Sequence, residues 1–136
     1  MKYVAVIDTN VIVSALIKPN SNPEKIIAYV EQRKIIPVYN DEIMDEYVEV
    51  LHRDKFHFSE EKIQSILNTI KDYGRVLNGI ETDEFFSDPS DIKFFQVVLA
   101  ANMIQDSYLI TGNLKDFPKR VFIVDPDMMI KIIESN

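Results

Sequence analysis

Short runs of β-branched and aliphatic residues alternate with segments of helical periodicity along the whole chain, and this alternation restricts the fold more than any other feature. Tyr3–Asp8 (YVAVID) reads as a buried strand, followed by a helix over Asn10–Ile17 that Pro19 ends. Pro23 opens a second helix running to about Arg33. Ile35–Tyr39 is a strand whose Pro37 suggests an edge or an irregularity. Asn40 caps a helix from Asp41 to about Arg53, with Ile43, Tyr47, Val50 and Leu51 along one stripe. Ser59 caps Glu60–Tyr73, where Ile63, Ile66, Leu67 and Ile70 form the stripe and Gly74 the stop. Val76–Phe86 is a polar-interrupted connection with room for one short strand.

The carboxy-terminal third repeats the pattern. Asp88-Pro89-Ser90-Asp91 opens a strongly apolar helix to about Ile104. Strands are expected over Tyr108–Thr111 and Val121–Val124, with a loop over Gly112–Pro118 between them, and Asp125-Pro126-Asp127 starts a terminal helix. Strands alternating with helices imply an α/β three-layer sandwich around a mostly parallel sheet. No repeat or linker interrupts the 136 residues, so one domain is expected over 1–136.

Composition narrows the function classes. There is no cysteine, so thiol nucleophiles, disulfides and Cys-based zinc sites are excluded. This suits a reducing compartment, and a cytoplasmic location is expected. The apolar run Tyr3–Ile7 stops at Asp8, too short for a signal-peptide core, and no stretch reaches the roughly 20 apolar residues of a membrane helix. Fifteen Lys+Arg against 22 Asp+Glu give a net charge of −7, which argues against gripping duplex DNA through a broad basic face. Three glycines leave no Gly-rich phosphate loop, and no G-x-S-x-G motif occurs. His52 and His57 are the two imidazoles and flank a charged helix end, which argues against a two-histidine ribonuclease.

Carboxylates recur where a parallel sheet binds ligands, beyond the carboxyl ends of its strands. Asp8 follows the first strand; Thr111, Asn113 and Asp116 follow the 108–111 strand; Asp91 lies in the first turn of the helix before it; Glu46 projects from the helix after the second strand. Each has a local reading too. Asp8 and Asp88 could cap helices, Glu46 belongs to an acidic row with Glu42, Asp45 and Glu49, and Asn113 and Asp116 could serve a turn. As a set they suit a hard divalent cation such as Mg²⁺ or Mn²⁺, because like charges gathered in a crevice need a proton or a cation between them.

In order along the chain, VIDTNVIVSALI, EIMDEYVEVLHRDKF, DPSDIKFFQVVLAAN and YLITGNLKDFP resemble the PIN-domain family, in particular the branch of toxins from toxin–antitoxin pairs (VapC-like). The resemblance runs from Lys2 to about Met129. It implies a metal-dependent endoribonuclease with Mg²⁺ or Mn²⁺ on Asp8, Asp91 and Asp116, and Glu46 as a further ligand or as a base acting through water. It also makes Thr9, Asn10, Thr111 and Asp88 supporting residues. Asn113 stands where many members carry an aspartate, which puts a second metal in doubt. Arg53, Lys55, Lys115, Lys119 and Arg120 could steer single-stranded or looped RNA, and Phe56, Phe58, Phe85 and Phe86 could receive a small antitoxin or a second copy of the chain. Two rivals remain. One is a catalytically inactive module binding protein or RNA. The other is a HAD-like phosphatase, weakened because Asn10 occupies that family's second aspartate position in Asp8-Thr9-Asn10-Val11.

Overall fold

A computed structural model describes residues 2–136. Strand β1 is Tyr3–Ile7, with Ala5, Val6 and Ile7 shut off from solvent, as a parallel strand covered on both faces requires. Helices α1 (Thr9–Ile17) and α2 (Asn22–Glu31) lead to β2 (Ile35–Tyr39). Helices α3 (Asp41–Leu51) and α4 (Glu60–Tyr73) lead to β3 (Arg75–Val76). Helix α5 (Ile92–Asn102) precedes β4 (Ser107–Ile110), and β5 (Ile123–Val124) precedes α6 (Pro126–Glu134).

The five strands form one parallel sheet in the order β3-β2-β1-β4-β5, flanked by the six helices as an α/β sandwich. Chain order runs outward from β1 through β2 to β3, then returns to the other side of β1 for β4 and β5. Right-handed crossovers carry the connecting helices to opposite faces when the direction reverses, which opens a crevice at the carboxyl ends of the two strands where it does so. Those strands are β1 and β4, joined in register from Val4 opposite Ser107 to Ile7 opposite Ile110.

Local signals placed most element ends. Asn40, Ser59 and Asp125 cap α3, α4 and α6 through side-chain oxygens that accept from Ile43, Lys62 and Met128 amides. Helix α2 begins earlier than expected: Ser21 is its cap, which puts Pro23 second, and the chain leaves the helix before Arg33, which has a φ of 63°. Helix α3 stops at Leu51 and α5 at Asn102, each two residues short of expectation. A single 3₁₀ turn, Pro89–Asp91, stands before α5, so Asp91 sits at the helix junction rather than in its first turn. Pro37 lies in an interior strand, but β3 pairs only with Val38 and Tyr39, so Pro37 faces no ladder on that side. Gly74 meets Pro37 closely; a Cβ there would stand 2.6 Å from the Pro37 carbonyl oxygen and 2.3 Å from that of Ile70. Strand β5 is shorter than expected because Val121 is 95% exposed and unpaired.

The aromatic residues divide between core and surface. Phe86 is buried against Phe95 and Phe117, with ring centroids 5.5 and 5.9 Å away, so it belongs to the core rather than to a docking groove. Phe56 and Phe58 stack on each other at 5.3 Å, and Phe85 is exposed. No described helix is long and apolar enough to cross a membrane.

Candidate active site

The carboxyl ends of β1 and β4 meet at Asp8 and Thr111, both buried. Asp8 occupies the cap position of α1 but makes no cap hydrogen bond. Its side chain turns instead toward β4, where Asp8 Oδ2 accepts from Thr111 Oγ1 at 2.8 Å and from Asn10 Nδ2 at 3.2 Å. Asn10 Oδ1 accepts from the Gly112 amide at 3.0 Å, and Thr111 Oγ1 accepts from the Asn113 amide at 3.0 Å. Asn10 and Thr111 therefore tie the two strand ends together around one carboxylate. Asn113 contributes its backbone to that network and its side chain is exposed.

Helix α3 brings Glu46 to the same end of the sheet. Its neighbour Tyr47 is fully buried and donates to the Ile7 carbonyl at 2.5 Å, fixing the helix against the end of β1. Glu46 Oε2 accepts from Thr9 Oγ1, and Glu46 Oε1 stands 2.8 Å from Lys93 Nζ. Asp91 enters from the head of α5 and Asp116 from the turn after β4.

Electrostatics link the four acids. Burial pushes the Asp8 carboxyl up to about 6 from its ordinary 3.8 and Glu46 adds repulsion, while the Thr111 hydrogen bond, the Thr9 amide and Lys93 oppose the rise. Asp91 is pushed up to about 7, first by burial and then by the charges of Asp8, Asp88, Asp116 and Glu46. Asp88 itself serves the 3₁₀ turn, accepting from the Ser90 amide at 3.0 Å and the Ser90 hydroxyl at 2.8 Å, which hold it below the usual carboxylate range. Its contribution to the site is charge on Asp91.

The proposed basic guides differ in position. Arg53 is paired with Glu49 at 3.0 Å and shares a cleft with His52 and Glu60, and Lys55 lies over the Phe56 ring at 5.1 Å; neither contacts the four acids. Lys115, Lys119 and Arg120 line a groove of about 650 Å³ with Leu114 and Phe117, beginning beside Asp116, and Arg120 is paired with Glu84.

Sequence reasoning passed over Lys93. It is the basic group paired with an acid of this site, and the available signal was a single cation in the apolar run of α5.

Among the described residues, no three Asp, Glu or His side chains stand close enough to grip an ion without moving. The donor set nevertheless suits a hard divalent cation, being all oxygen and carrying two carboxyls whose proton affinity is raised first by burial and then by neighbouring acids.

Comparison with known proteins agrees with this architecture. The PIN domain profile matches residues 4–115, which includes Asp8, Glu46 and Asp91 and ends one residue before Asp116. The uncharacterized protein MJ1680 of Methanocaldococcus jannaschii is 31% identical over 116 residues, covering 83% of this chain and 72% of the relative. PIN domains are generally nucleases and typically bind divalent metals. With the profile spanning most of the chain and the sheet reversing at Asp8, the chain belongs to the PIN domain family.

Proposed function

We propose that this chain is a Mg²⁺- or Mn²⁺-dependent endoribonuclease, the toxin of a cytoplasmic toxin–antitoxin pair, which hydrolyses phosphodiesters of single-stranded or looped RNA. The observation that carries the reading is the set of acids at the switch point of the sheet, where burial holds Asp8 and Asp91 above the ordinary carboxyl range and the charges of Asp8, Asp116 and Glu46 add to the rise at Asp91. Asp8, Asp91 and Asp116 would hold the cation. Bound there, it supplies Lewis acidity toward water and phosphate oxygens at neutral pH.

The protein's own groups do the positioning. Thr111 and Asn10 both donate to Asp8 Oδ2, which leaves Oδ1 free of those partners for ligation. Glu46 is steadied by Thr9 at one oxygen and Lys93 at the other, and serves as the acceptor for a proton leaving the attacking water. The groove bearing Lys115 and Lys119 leads the RNA backbone past Asp116. A short antitoxin would bind over the stacked, half-buried aromatic pair Phe56 and Phe58.

One observation favours a second reading, an inactive RNA- or protein-binding module: Glu46 already has a cationic partner. Incubation of a mixed single-stranded RNA panel with Mn²⁺, Mg²⁺ or EDTA separates the two. Cleavage that needs the metal and disappears in Asp8→Asn and Asp91→Asn supports the nuclease. RNA that survives every condition supports the module, and cleavage indifferent to metal and to both substitutions would falsify the mechanism.

A further inference from the structure

Lys93 is the one basic residue of α5, whose sequence IKFFQVVLAAN is otherwise almost wholly apolar. A lone lysine on such a helix ordinarily extends its ammonium into water. This one folds back into the acidic site. Its Nζ donates to the Ser90 carbonyl at 2.5 Å, lies 5.1 Å from the centre of the Phe94 ring, and stands 2.8 Å from Glu46 Oε1. The lysine side chain is 13% exposed and the glutamate 23%, whereas every side chain in the other ion pairs among the described residues is at least 37% exposed. Sheltering two charges is costly unless each finds further partners, and here each does: Thr9 for Glu46, Ser90 and Phe94 for Lys93.

We propose that Lys93 is an internal counter-cation that competes with the divalent ion for the negative charge of the site and thereby sets its affinity for metal. The inference rests on the metal-dependent reading above. A fixed positive charge a few ångströms from Glu46 opposes an incoming dication in proportion to both charges, and the sheltered setting weakens solvent screening. Without the metal, the same ammonium pins the Glu46 carboxylate between α3 and α5. Lys93 is a positioning residue in this scheme; its charge acts through Glu46 and on Asp8.

Calorimetric titration of Mn²⁺ into the full chain tests this with K93Q, K93M and K93R. Because K93Q can still donate a hydrogen bond to Glu46, it covers the case in which K93M does not fold. Removing the charge is expected to tighten Mn²⁺ binding roughly tenfold in K93Q and K93M. K93R is expected to stay within about twofold of the parent. The metal-free K93Q protein is expected to melt below the parent, with the difference shrinking as Mn²⁺ is added. Equal or weaker binding by K93Q overturns the counter-cation role and leaves the metal site standing. Equal tightening in K93R overturns it too, since charge would not be the cause. No Mn²⁺ binding by the parent or any variant overturns both this inference and the metal-dependent nuclease.

Discussion

Replacing Asp8 by Asn is expected to stabilise the metal-free protein while removing its capacity for metal. In the folded chain Asp8 holds its proton up to about pH 6, whereas an unfolded aspartate releases it near 3.8. The sign follows from which state binds protons more tightly. Below 3.8 both states are protonated and the acid costs nothing. As pH rises from 3.8 through about 6, the unfolded chain ionises first and stability falls; above that window the loss is constant. At about 1.4 kcal/mol per pH unit, the gap amounts to roughly 3 kcal/mol.

Asparagine removes that cost and keeps an oxygen able to accept from Thr111. The weaker, uncharged hydrogen bonds return about 1 kcal/mol of the gain. A net stabilisation of about 2 kcal/mol at pH 8 corresponds to a rise in melting temperature of roughly 7 °C for a chain of this size. Calorimetric melts in EDTA at pH 8 and pH 4 check this, because most of the gain must be lost at the lower pH. Excess Mn²⁺ reverses the order, raising the parent by about 2.7 kcal/mol at a hundredfold excess over Kd and leaving Asp8→Asn unchanged. A variant that melts at or below the parent at pH 8, or that gains equally at pH 4, refutes burial as the source of the raised proton affinity.

Three further outcomes follow from the fold. Gly74→Ala drives a methyl into the Pro37 and Ile70 carbonyl oxygens and should cost about 1–3 kcal/mol or more in urea denaturation. Tyr47→Phe removes the hydroxyl that holds α3 to the Ile7 carbonyl and should cost about 1–2 kcal/mol by the same measurement. His52 presents one ring nitrogen to the Val48 carbonyl and the other to Glu60, so the doubly protonated ring is favoured and its midpoint lies above 6.5. Its contribution to stability is present below the unfolded midpoint and lost as pH rises through the folded one. A proton NMR titration showing His52 at or below 6.5 would contradict this.

What the chain discloses locally and what it hides differ in physical kind. Asn40, Ser59 and Asp125 act on amides only a few residues away, so their roles were readable before any tertiary contact was known. Strand β3 has two residues and no period of its own; it exists because Val38 and Tyr39 offer it a ladder. Pro37 suggested an edge, and an interior position became possible only because that ladder starts one residue later. Asp8 is the sharper case. A capping role and a site role predict the same residue in the same place, and only the direction of its side chain, toward Thr111 on the far strand, separates them. That direction depends on β1 and β4 being neighbours, which no short-range pattern specifies. Lys93 was hidden for the same reason: a single cation in an apolar helix reads as a solvent-facing residue until α3 supplies Glu46. The chemistry of this protein therefore resides in pairings between distant elements, and substitutions at Thr111 or Lys93 should disturb function more than their conservative side chains suggest.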